Sequence, residues 1–236
     1  TSGTGSEATI VAVILDKARN MKMEIISYFL LPDVSVLDPR MTLSLPAKTT
    51  ASTGMDALCH AIEAYTCLQK NPMSDAYAIS AIEIIRDNLI KAVENENDKK
   101  VRLAMANASL MAGVSFSNSM VGVIHAIGHA IGGVSHVPHG DAMSILMPHC
   151  MKFNKDKLKD EYAKLLLHIA GPEVYANTKY EDRADKTIEY VENMLYKLNK
   201  ICGLPTKLSQ TNVKKEDFNE IAKKALDDGA MIVNPK

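Results

Sequence analysis

The chain of 236 residues contains no CxxC pair, and its four cysteines, Cys59, Cys67, Cys150 and Cys202, stand far apart. Such spacing excludes an extracellular disulfide framework and reads as reduced thiols in a cytoplasmic protein. No apolar run approaches the roughly 18 residues that a bilayer-crossing helix needs, and no charged, apolar and small-residue leader is present. Neither export nor a membrane span is expected. An excess of one charge sign is also missing: 27 Lys+Arg against 28 Asp+Glu leave a net charge of −1. That balance removes the electrostatic case for nucleic acid or an acidic membrane, and a small-molecule substrate becomes the default. Repeats, low-complexity tracts and Gly/Ser linkers are absent too. What remains, 47% hydrophobic and 23% charged, suffices for one large domain or two small ones whose core needs no staples.

Against this plain background the histidines are uneven. Seven of them spread evenly would put about 0.4 in a window of fifteen, yet residues 124–138 hold His125, His129 and His136, and His139 follows at once. Four imidazoles among Val, Ile, Ala and Gly, in VIHAIGHAIGGVSHVPHG, point to a metal or acid/base site more than to a solvated surface. His125 and His129 are four apart, so on a helix both rings share a face, about 40° apart around the axis. Gly132-Gly133 is expected to end that helix. His139, between Pro138 and Gly140, then suits a loop that turns back and presents its imidazole to the helix just left.

The rest of the chain divides by period. Residues 9–15, 23–31 and 34–37 are extended candidates, rich in β-branched and apolar residues, with turn chemistry at 16–20 and at Pro32-Asp33. Strands that short need a sheet to join, or helices to pack on. From Pro46 onward the pattern is helical. Segments 47–69, 74–88, 100–119, 142–152, 157–170, 184–201 and 216–228 read as helices around the His-rich one, broken by a loop at 95–100, by Gly171-Pro172 and by Gly203-Leu204-Pro205. Met55, Leu58, Ile62 and Tyr65 form an apolar stripe on the first; Ala76, Ile79, Ile82, Ile84 and Ile85 are expected to face inward on the second. Cys59 reads as a core thiol. The fold class is therefore mainly α: a helical domain over residues 46–236, preceded by a short β segment over residues 1–45.

Asp56 and His60, again four apart, share a face of the first helix. With His125 and His139 they offer one carboxylate and three imidazoles, a donor set suited to Fe²⁺ or Zn²⁺ rather than to Mg²⁺ or Ca²⁺, which prefer oxygen. Periodicity does not choose among His125, His129, His136 and His139 as ligands. A divalent ion with an open position could hold a hydroxyl oxygen and favour its deprotonated form, as metals pull bound water from a pKa of ~15.7 to ~7.

The stretches TGMDALCHAIEAY, HAIGHAIGGVSHVPHG, TSGTGSE, LPDVSVLDP and NPK closely resemble the iron-dependent (group III) alcohol dehydrogenases, a family with the dehydroquinate-synthase-like fold. The resemblance covers essentially the whole chain. It implies a two-domain enzyme with an α/β nucleotide-binding domain, a helical metal-binding domain and a site in the cleft between them. It assigns Asp56, His60, His125 and His139 as metal ligands and His129 as a proton-relay or positioning group near substrate and nicotinamide. Thr1, Thr4, Thr9 and Lys22 fall on the nucleotide side. Implied cofactors are Fe²⁺, with Zn²⁺ as the alternative, and NAD or NADP; implied partners are a small alcohol or aldehyde and a second copy of the chain in a homodimer. The family's GGGSxxD pyrophosphate loop is not found, and the chain opens without Met. It is therefore expected to be a fragment lacking most of the nucleotide-binding domain, inactive in hydride transfer by itself. Rival readings are a polyol dehydrogenase or dehydroquinate-synthase-type lyase of the same fold, a metal-dependent hydrolase, and a module in which metal only staples helices.

Overall fold

A computed structural model describes residues 3–16, 18–19 and 21–236. Thr1, expected on the nucleotide side, lies outside them. The described chain is mainly α, as its periodicity predicts. Helix α1 (Ala47–Thr66) forms the axis, with α2 (Pro72–Glu94), α3 (Lys99–Ser117) and α5 (His139–Asn154) packed around it. Helix α4 (Val123–Ser135) lies against α5 and α9 (Phe218–Leu226), while α6 (Lys159–Ala170), short α7 (Pro172–Asn177) and α8 (Arg183–Cys202) close the far side. No helix among the described residues is long and apolar enough to cross a membrane.

Every residue of α1 from Gly54 to Thr66 is buried, polar ones included. The predicted stripe of Met55, Leu58, Ile62 and Tyr65 is thus one face of a helix enclosed on all sides. Burial that complete requires close neighbours, and Gly54 supplies the room: a Cβ there would stand 2.3 Å from Leu89 Cδ1 on α2. Local chemistry sets the starts of α2 and α3. Asn71 Oδ1 accepts from the amides of Met73 and Ser74 ahead of Pro72, and Asp98 accepts from those of Lys100 and Val101. On α2 the buried face runs through Ala78, Ala81, Ile82 and Ile85; Ala76 is exposed, contrary to the expected inward position.

Three expectations about the rest need correction. Gly132 and Gly133 do not end α4, which continues to Ser135 and stops where His136 adopts a left-handed φ of 53°. The glycine serves close approach instead: a Cβ on Gly132 would lie 2.8 Å from Lys22 Cε. His139 is not a loop residue but the first residue of α5, with Pro138 just before it. Third, among the described residues the extended candidates yield two strands, β1 (Val11–Asp16) and β2 (Met21–Ile26), paired antiparallel from Val11↔Ile26 to Asp16↔Met21. Residues 34–37 form no strand, because the hairpin offers no third partner among the described residues. Tyr28, Phe29, Val34 and Val36 stand exposed along that connection. Strand β2 packs on α4, which carries the hairpin over the histidines.

Candidate metal centre

Three elements converge beneath the hairpin. Helix α1 sets Asp56, His60 and Glu63 at positions i, i+4 and i+7, on one face. Helix α4 brings His125 and His129, and α5 opens with His139. Gly140 makes the last approach feasible, since a Cβ there would fall 2.5 Å from the Ser52 carbonyl oxygen of α1. His139 Nε2 thereby comes 3.5 Å from Asp56 Oδ1, and His125 Nε2 comes 3.8 Å from the same oxygen. The His60 and His125 rings stack with centroids 4.6 Å apart, and His125 and His139 stand 5.5 Å apart. Asp56, His60 and His125 each offer a donor atom within 4.8 Å of the others.

These groups are both buried and unpartnered. The two Asp56 oxygens, His60 Nδ1 and His125 Nε2 find no hydrogen-bond partner. Each such atom costs about 1–3 kcal/mol, more for a charged one, so their occurrence in three neighbouring side chains calls for an explanation. A shared divalent cation supplies it. Four donors at bonds of about 2.1 Å in a tetrahedron stand about 3.4 Å from each other, close to the spacings of Asp56 to His139 and His125. Protonation is consistent with that. Burial, then neighbouring positive groups, holds His60 and His139 well below the usual imidazole range. His125 is likewise held low, by burial first. All three are thus neutral, the state that can ligate. Asp56 is pushed up to about 7, chiefly by burial. The donor set fits one divalent cation.

Around it lies a second layer. Glu63, buried on α1, places Oε2 2.5 Å from His125 Nδ1 while Oε1 accepts from the Ile124 amide at 2.7 Å. Cys59 is buried, with Sγ 3.8 Å from the same Nδ1, and burial pushes its thiol well above the ordinary value. His129 has a different setting: its Nδ1 lies 2.8 Å from Glu24 Oε1 on β2 and 3.0 Å from Asp228 Oδ2 after α9. Burial alone would lower its pKa, but the two carboxylates outweigh that and raise it to about 9. Sequence reasoning missed Glu63, Glu24 and Asp228. The first carried a signal, three residues beyond His60 on a wholly buried face, and Glu24 alternates with Lys22 in an otherwise apolar strand. Asp228 carried none. His136 is exposed at the end of α4 and takes no part.

The cluster floors a cavity of about 330 Å³ whose opposite wall is the hairpin and the turn before it. Thr4, Thr9 and Lys22, expected on the nucleotide side, all line it. The Thr9 hydroxyl is engaged with the carbonyls of Ser6 and Val11, each at 3.2 Å. Lys22 Nζ reaches to 3.5 Å from His139 Nδ1, and its amine is held low by burial. Phe116 stacks on His60 at 4.5 Å and gives the cavity an apolar flank with Met120 and Val121.

Fold and site together describe a helical domain able to hold one divalent cation at the floor of an open cavity. Its sequence matches the C-terminal profile of the Fe-containing alcohol dehydrogenase family over residues 50–236, and the iron-containing alcohol dehydrogenase profile over residues 1–39. The chain belongs to the iron-containing alcohol dehydrogenase family. It is 40% identical over 236 residues to the NAD-dependent methanol dehydrogenase of Bacillus methanolicus, covering 100% of this chain and 60% of that protein. To the NADPH-dependent butanol dehydrogenase of Clostridium saccharobutylicum it is 36% identical, covering 100% of this chain and 59% of the other. Among solved structures, a 1,3-propanediol oxidoreductase superposes with a TM-score of 0.92 at 36% identity, over 100% of this chain and 60% of that one. The chain thus spans about 60% of the length of the curated relatives it matches.

Proposed function

We propose that this chain is the metal-holding part of an NAD(P)-linked alcohol dehydrogenase, which oxidises small alcohols and reduces the matching aldehydes. The observation that carries the reading is the meeting, at the cavity floor, of donor atoms from Asp56, His60 and His125 within 4.8 Å of one another. In this reading Asp56, His60, His125 and His139 hold the ion, Fe²⁺ by family and Zn²⁺ by the same donor chemistry. When bound, the ion supplies Lewis-acid polarisation of the alcohol oxygen and the nicotinamide supplies the hydride acceptor.

The chain's own residues bind and orient. His129 is gripped at Nδ1 by Glu24 and Asp228, which leaves Nε2 as the nitrogen able to position the substrate or pass it a proton. The apolar flank of Phe116, Met120 and Val121 excludes water beside the floor. Thr1, Thr4, Thr9 and Lys22 serve the nucleotide, with residues 1–45 as part of a nucleotide-binding domain and 46–236 as the helical domain. Exposed Ile14 and Ile25 on the face of the hairpin turned away from the cavity support that division, because an apolar strand face needs a cover. Relatives of both cofactor preferences match at similar identity, so the proposal is nicotinamide without choosing the phosphate. A cytoplasmic homodimer completes it, and sedimentation of the full-length protein tests the dimer.

Elemental analysis tests the ion. His60→Ala and His125→Ala should each abolish stoichiometric metal; retention in both removes these residues from the site. In the full-length protein, alcohol-dependent change in near-ultraviolet NAD(P)H absorbance is the expected activity. Hydrolysis without such a change would overturn the dehydrogenase reading. A stapling ion is the rival, and coordination separates the two: a structural site is closed by its protein ligands, whereas the proposed catalytic one keeps a further position for the alcohol oxygen.

A further inference from the structure

We infer that Glu63 is a positioning residue that fixes the tautomer of His125, so that the lone pair of Nε2 faces Asp56. The inference rests on the reading of His125 as a metal ligand and adds what makes it one. Helix α4 begins with amides that have no partner inside the helix. Two side chains from elsewhere supply acceptors: Asn234 Oδ1 takes the Val123 amide at 3.2 Å and Glu63 Oε1 takes the Ile124 amide at 2.7 Å. Gly122 permits the carboxylate to come so near, since a Cβ there would lie 3.1 Å from Oε1. With Oε1 engaged, Oε2 stands 2.5 Å from His125 Nδ1.

The donor count then decides the rest. An ionised carboxylate has only acceptors, so opposite ionised Glu63 the hydrogen sits on Nδ1, which donates it. A neutral imidazole has one N–H, which leaves Nε2 with a lone pair. That nitrogen is the buried, unpartnered one, 3.8 Å from Asp56 Oδ1. Glu63 therefore performs two tasks with its two oxygens, starting α4 and presenting its third residue in the ligating form. Glutamine keeps the shape but cannot do both. Facing two N–H donors with one oxygen and one NH₂ group, it either leaves the Ile124 amide unpaired or turns its NH₂ group to Nδ1. The second outcome forces the hydrogen onto Nε2 and blocks the lone pair.

The test uses the full chain in its parent form and as Glu63→Gln and Glu63→Ala. Outer carboxylates of this kind change metal affinity by about 10–100-fold. Competition with a chromophoric chelator for Zn²⁺ should show that loss in both variants, with far-ultraviolet circular dichroism unchanged for the isosteric glutamine. Nitrogen chemical shifts of the His125 ring in metal-free protein give the second readout. Nδ1–H is expected in the parent, and a shift toward Nε2–H in Glu63→Gln. A parent ring in the Nε2–H form overturns the inference whatever the variants do, as does a Glu63→Gln protein that keeps both affinity and tautomer. A parent with the Nδ1–H form that binds no metal would instead overturn the metal centre and leave the orienting role of Glu63 intact.

Discussion

His125 and His129 stand one turn apart on the same helix, both buried, and they end as chemical opposites. One oxygen of Glu63 meets His125 at Nδ1, its companion being engaged with the backbone, and Nε2 is left without a partner. Two carboxylates, from β2 and from the segment after α9, meet His129 at one nitrogen. The first ring is neutral and seeks a cation; the second is itself the cation. Helical spacing put the two side by side, but acids distant in sequence gave them their roles. A row of similar histidines thus divides into a neutral candidate ligand and a charged neighbour.

Removing the charged member should expose that contrast most sharply. His129→Ala leaves Glu24 and Asp228 facing each other without their cation. We expect a loss of about 3 kcal/mol in stability by denaturant unfolding, the scale of breaking a buried ion pair, with stoichiometric metal retained. If metal disappears as completely as in His125→Ala, the two rings belong to one centre and the contrast fails. Asp56→Asn probes the other side and should act with the opposite sign. It removes a buried, unpartnered carboxylate, so metal-free protein should gain about 2 kcal/mol in thermal or chemical unfolding while losing its metal. If the metal-free Asp56→Asn protein is instead destabilised, the carboxylate has a protein partner after all.

The smallest effect is the pH dependence of the His129 clamp. Its folded pKa, raised to about 9 from an ordinary 6.5, lies above the unfolded one. The stabilisation is therefore complete below about pH 6.5 and is lost as pH rises through about 9. At pH 8 about 1 kcal/mol should remain and by pH 10 almost none. With metal removed, the stability gap between the parent and His129→Ala should narrow over that interval. A gap that widens instead would show that the ring is neutral when folded.

Much of the helical scaffold was legible because its signals are local: apolar spacing in α1 and α2, and the breaks at Gly171-Pro172 and Gly203-Leu204-Pro205. The candidate centre was legible in part: Asp56/His60 is an i, i+4 pair and the other histidines crowd into one short stretch, while the choice of His125 and His139 among them came from the family resemblance. What escaped depends on chain segments meeting over long distances. Asp228 lies 99 positions from His129, and nothing near it announces a partner. Gly132-Gly133 looked like a helix stop because the glycine signature is the same for a terminus and for a close approach, and only the packing of Lys22 separates them. Residues 34–37 have strand composition but no neighbour to pair with, and a strand is defined by its neighbour. His139 opens a helix rather than sitting in a loop, which turned a flexible presenter into a fixed one.

The unbroken burial of α1 from Gly54 to Thr66 has a consequence for how such a protein can diverge. The α1 residues that would grip the ion, Asp56 and His60, sit inside the packed interior of the domain, so a change to that part of the grip also disturbs the core. In the proposed dehydrogenase, new substrate preferences fall instead on the opposite bank, in the hairpin and the Phe116 to Val121 flank, whose side chains line the cavity. Conservatism in the floor and inventiveness in the rim are thus built into where one helix lies.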